Sequence, residues 1–144
     1  MIQTAIYNFA PFGGTIYLGY GDLDSFVKFC RPRVSESAKK DLETIYSYAD
    51  KAGFTVIDNN VCIIYIYPNQ SYEEIISTLG HEILHAIFAI TSYSGNHYSQ
   101  KGEELYCYYM SDILQYFMRA LNLKRHEEKI PNNNGIKNIE KSIK

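Results

Sequence analysis

Apolar and polar positions alternate with two different periods along the chain. Residues 2–9 and 15–20 are rich in β-branched and aromatic side chains, and Ala-Pro-Phe-Gly-Gly separates them. That pattern predicts a β-hairpin with a glycine turn. Gly21 closes the second strand, Asp22 or Asp24 can cap a short helix reaching about Cys30, and Pro32 stops it. Ser35 then opens a helix expected over residues 35–51, with Leu42, Ile45, Tyr46 and Ala49 along one face and Gly53 as its terminator. Its Lys39, Lys40, Asp41 and Glu43 make a solvated face. Residues 54–57 and 61–67 flank Asp58-Asn59-Asn60, side chains that tolerate positive φ, so a second hairpin is expected. Residues 62–67 are apolar on both faces and predict a well-covered strand, which Pro68 ends. Ser71 and Glu74 have the spacing of a capping box, which starts a helix running to about Thr91. Residues 92–102 are polar and turn-like, a last long helix is expected over 103–121, and no internal repeat is visible.

After Asn122 the pattern changes. Residues 124–144 hold six Lys/Arg against three Glu, a net of +3, so the rest of the chain carries −5 of the overall −2. Asn132-Asn133-Asn134-Gly135 has few apolar neighbours, which predicts a flexible tail over 122–144 behind one domain at 1–121. A chain of 144 residues is enough for one core, not two. The net charge gives no basic field for nucleic acid. Cys30, Cys62 and Cys107 are odd in number and widely spaced, which excludes a disulfide framework and suits a reducing cytosol. The opening residues lack the basic and apolar regions of a signal peptide. The longest apolar run is interrupted by His81, Glu82 and His85, so neither a membrane span nor a membrane partner is expected and the location expected is cytoplasmic.

Those three residues carry the candidate chemistry. They sit at the centre of residues 80–88, Gly-His-Glu-Ile-Leu-His-Ala-Ile-Phe. On a helix, residues four apart share a face, so His81 and His85 can direct two imidazole nitrogens at one point. Glu82 flanks that point and can take a proton from a zinc-bound water. Ile75, Ile76, Leu79, Ile83, Leu84, Ile87 and Phe88 make the helix apolar on nearly every side, which predicts burial. Three ionisable groups buried there need a partner, and a metal ion is the best one. A catalytic zinc takes three protein ligands and leaves its fourth position to water. A histidine six residues beyond His85 is missing, since Thr91 stands there, and His97 and His126 are poorly placed. Glu103 and Glu104 open the last helix. Glu103 lies within the apolar stripe Tyr106, Met110, Ile113, Leu114, Phe117 and Leu121, whereas Glu104 lies at its margin, in line with Cys107, Tyr108 and Ser111. Small residues there let two helices approach, which favours Glu104 over Glu103 as third ligand.

His-Glu-x-x-His, followed after a short loop by a helix opening Glu-Glu-Leu-Tyr-Cys-Tyr, resembles the gluzincin class of zinc metallopeptidases. More closely, residues 15–121 are similar to small zincin-like proteins encoded by phages and prophages, which share the strand, Gly-Asp and short-helix opening of residues 17–29. The resemblance implies zinc held by His81, His85 and Glu104, with Glu82 as general base. It implies an α+β fold: a minimal zincin-like domain with a small mixed or antiparallel sheet, built from two hairpins and packed on the His-Glu-x-x-His helix and the following ligand helix. Two departures stand out. Thermolysin-like members have a large C-terminal subdomain for which this chain has no room. They also carry an Asp four residues after the ligand glutamate, where this chain has Tyr108.

The expected activity is hydrolysis of peptide bonds in a peptide or protein. Tyr93, His97, Tyr98 and Tyr108 are candidate oxyanion donors, and Tyr108 is taken as the catalytic one. The strand at 62–67 is the candidate to pair with substrate backbone. Two rival readings accompany this one. One is a zinc-stapled protein that binds a host or virion protein, for example against a host defence; the intact Glu82 argues against it. The other is hydrolysis of a non-peptide amide.

Overall fold

The computed structural model describes residues 1–10, 12–48 and 51–123. Both expected hairpins form. Strand β1 (Gln3–Phe9) pairs antiparallel with β2 (Gly14–Tyr20), and β3 (Gly53–Asp58) pairs antiparallel with β4 (Val61–Ile66). The second turn passes through Asn59 at φ 55°, the positive φ that its side chain tolerates. The hairpins join through parallel pairing of β2 with β4, giving one four-stranded sheet of order β1-β2-β4-β3. Strands β2 and β4 are parallel because the chain between the hairpins crosses one face of the sheet in helices α1 (Leu23–Cys30) and α2 (Glu36–Glu43). Asp22 caps α1 by accepting from the Ser25 amide, and Ser35 caps α2 by accepting from the Ala38 amide.

Beyond Glu43 the structure departs from the sequence reading. A single helix was expected over 35–51, but α2 gives way to a 3-10 helix at Thr44–Tyr48. The Thr44 hydroxyl donates to the Asp41 carbonyl at 2.6 Å, and the β-branched and aromatic run that follows is a poor helix former. Gly53 begins β3 instead of ending a helix. Ala49 lies outside the described residues, and so does the tail from residue 124.

The opposite face of the sheet carries helices α3 (Tyr72–Tyr93) and α4 (Glu103–Ala120). Ser71 and Glu74 form the full capping box: the Ser71 hydroxyl accepts from the Glu74 amide at 3.2 Å, and Glu74 accepts from the Ser71 amide at 2.8 Å. The fold is therefore α+β, a mixed sheet between two helical layers. Alternation along the strands divides the core in two. Ile16, Leu18, Cys62, Ile64 and Ile66 point toward α3 and α4, while Val56, Ile63 and Tyr65 point toward α1 and α2. By length and composition α3 would pass for a membrane span, contrary to the expectation that its charged groups exclude one, and core helices pass the same test.

The two sheet edges differ. Strand β1 is fastened to α4 by three tyrosines: Tyr7 donates to Asp112 at 2.6 Å, Tyr109 to the Ala10 carbonyl at 2.8 Å and Tyr116 to the Ile6 carbonyl at 2.6 Å. Burial, and then the Asp112 carboxylate, raise the Tyr7 hydroxyl well above its ordinary pKa, so it stays a donor. Strand β3 pairs on one side only among the described residues, and its face holding Gly53 and Thr55 packs on α3.

Candidate metal centre

The three residues of the motif sit two turns inside α3, where the capping box fixes the helix start and hence the direction each side chain takes. Buried positions Ile75, Leu79, Glu82, Ile83, Ala86, Ile87 and Ile90 define the face set against the sheet and α4. His81 and His85 lie outside that face and are exposed, and only Glu82 is buried, at 8% exposure. This corrects the reading of a helix buried all round. Leu84, Phe88 and Tyr93 are apolar but exposed, so composition overstated how much of the helix is covered.

The imidazoles converge as the spacing requires. His81 Nε2 and His85 Nε2 stand 3.1 Å apart, with ring centroids 4.8 Å apart and the planes at 78°. Two nitrogens bound at about 2.0–2.1 Å to one tetrahedral zinc would stand roughly 3.3 Å apart, so the pair fits a zinc ion with little adjustment. Neutral imidazoles at this distance can also share one hydrogen bond, the Nε2–H of one ring donating to the other.

Glu82 leaves α3 toward β3. Its Oε2 accepts a hydrogen bond from the Thr55 hydroxyl. Gly53, two residues earlier on the same face of β3, leaves the space that the Glu82 side chain occupies. A Cβ at position 53 would stand 2.6 Å from Thr78 Cγ2, 3.1 Å from Glu82 Cγ and 3.2 Å from Glu82 Oε1. Two recesses that share Lys51, Gly53, His81 and Glu82 flank the group, of about 370 Å³ toward Ser77 and Thr78 and about 310 Å³ toward Thr55, Ile57 and His85.

Other residues expected at the site lie elsewhere. Glu103 and Glu104 are both exposed in the first turn of α4, where the helix dipole favours carboxylates. Neither lines the recesses, and among the described residues no group of three His, Cys, Asp or Glu forms around the histidines. The close approach expected at Cys107 and Ser111 does not occur, since both are exposed; the two helices meet instead at Gly80, where a Cβ would lie 3.3 Å from Met110 Cε. Tyr108 is 67% exposed, packs edge-on against Tyr109 and does not line the recesses either. Tyr98 joins Phe88 and Tyr106 in an aromatic trio with centroids 5.3–5.9 Å apart. The strand expected to meet substrate, at residues 62–67, cannot do so. As β4 it is paired on both sides, which leaves β3 as the strand at the site.

Thr55 was not singled out from the sequence, and Gly53 was read only as a helix terminator. Period-two alternation puts positions 53, 55 and 57 on one face of β3, but which helix that face meets depends on the strand order of the whole sheet. No protein family, curated protein or solved structure matches the chain.

Proposed function

We propose that the chain is a zinc-dependent metallopeptidase in which His81 and His85 hold the ion and Glu82 is the general base. The observation that carries this reading is the 3.1 Å separation of the two Nε2 atoms beside a buried carboxylate, in a recess shared with strand β3. Zinc held there by His81 and His85 would supply a water of lowered pKa and a Lewis acid for a carbonyl. Glu82 takes the water proton and delivers it to the leaving amine, work that requires a carboxylate held in place and ionised. Among the described residues the outer side of β3 is unpaired, and there it would offer main-chain donors and acceptors to an extended peptide lying across the imidazoles as an added strand. In this reading Glu104 is the third protein ligand. Its assignment rests on the resemblance alone, not on proximity to the histidines or on the face of α4 that packs.

A binding protein stapled by zinc would need the two histidines but not the glutamate. The burial of Glu82 and its anchoring by Thr55 favour the enzyme. The test compares wild type with Glu82→Gln against a peptide library. The proposal expects cleavage by the wild type, with a loss of at least about 100-fold in the variant at unchanged zinc content, since general-base catalysis contributes on that scale. Equal inertness of both proteins, with capture of a defined protein partner, would transfer the site to the binding reading.

A further inference from the structure

We propose that Thr55 is the positioning residue for Glu82, holding one carboxylate oxygen so that the other is presented over Gly53. The catalytic consequence rests on the metallopeptidase reading; the placement of the carboxylate does not. Glu82 is 8% exposed on a helix whose start is fixed by a capping box, so its Cα is well located. Its side chain, however, has three rotatable bonds, and the exposed imidazoles beside it do not confine it. The Thr55 hydroxyl does, donating to Oε2.

Thr55 is itself rigid on two counts. Its backbone pairs in register with the buried Ile64 of β4, and its β-branched side chain is restricted about χ1. The donor therefore reaches Glu82 from a different element and at a fixed position. The second oxygen, Oε1, faces position 53. Gly53 does not adopt a positive φ, so the glycine is there for space and not for conformational freedom. The recess toward Ser77 and Thr78 is lined by Gly53, His81 and Glu82 together, so the carboxylate anchored through Oε2 stands at a rim it shares with the imidazole. A base that must accept a proton on one side and release it on another gains from that anchoring, because misplacement of a reacting group by about 1 Å can cost on the order of 100-fold in rate.

Two substitutions in the full-length chain separate the hydroxyl from its surroundings. Thr55→Val keeps the shape and removes the donor; Thr55→Ser keeps the donor and removes a methyl group. Two readouts are taken on the same preparations: peptide hydrolysis, and the Glu82 side-chain carboxyl ¹³C resonance, assigned by its disappearance in Glu82→Gln. Thr55→Val is expected to lower kcat about tenfold or more with KM within about twofold, as for a group acting on the transition state. It should also move the Glu82 resonance toward that of a freely rotating glutamate. Thr55→Ser should restore most of both. A Glu82 resonance unchanged in Thr55→Val overturns the placement. Equal loss of kcat in Val and Ser variants overturns the positioning role in favour of packing. If the resonance responds as expected but the wild type cleaves nothing, the placement of Glu82 stands and the metallopeptidase reading falls.

Discussion

At position 53 a hydrogen atom stands where any other residue would place a carbon against Thr78 and Glu82, so this glycine sets how closely β3 and α3 approach. Gly53→Ala should destabilise the fold by about 1–3 kcal/mol, the usual cost of inserting a methyl group into a packed contact. Urea denaturation reads it as a lower midpoint at unchanged slope; an unchanged midpoint would mean that the strand and helix part easily, and would weaken the account of Glu82. Other residues at the site were easier to find. The spacing of His81, Glu82 and His85 was legible in the sequence because helix geometry alone brings i and i+4 together. Their environment was not, since exposed Leu84 and Phe88 look the same in a sequence as buried ones. Thr55 was hidden for a related reason: a threonine in a strand reads as an ordinary β-former until its partner across the layers is known.

Among the elements, α3 matters most, because its capping box sets the start of the helix that carries all three motif residues. Ser71→Ala removes one half of the box and should cost about 1 kcal/mol, measurable as a lower urea midpoint. The separation of His81 and His85 should not change, because that depends on helix pitch and not on the cap. A loss of several kcal/mol would show that the first turn supports more than the cap. Both hairpins, the caps at Ser35 and Ser71, the first cap to within Asp22 or Asp24, and the last helix were legible because each depends on chemistry within a few residues. The segment after Glu43 was misread because a weak local signal at Thr44 is reinforced by a tertiary contact. Ile45 is fully buried, and its carbonyl accepts from Tyr67 at 2.7 Å, a contact no local pattern contains.

Across the whole molecule, the strand order β1-β2-β4-β3 decides which edge is available. Two hairpins could be combined in several ways, and the sequence carries no marker for the parallel β2–β4 junction. Burial on both faces marked residues 62–67 as a covered strand, but a covered strand at the sheet centre has no edge to offer a substrate, and the role passes to β3. The two ends of the sheet differ in the same sense: Tyr109 and Tyr116 of α4 occupy the Ala10 and Ile6 carbonyls at β1, while β3 shares a recess with the histidines. The account stands or falls on whether those histidines hold a metal. The direct measurement is the zinc content of the purified chain after dialysis, with single variants alongside. About one zinc per chain is expected in the wild type and in Glu82→Gln, and none in His81→Ala or His85→Ala, because two donors on one helix turn cannot be replaced singly. Glu104→Ala should lose more zinc than Glu103→Ala if Glu104 is the third ligand. A wild-type chain without zinc after expression in zinc-replete medium, or one whose zinc survives both histidine substitutions, would contradict the account.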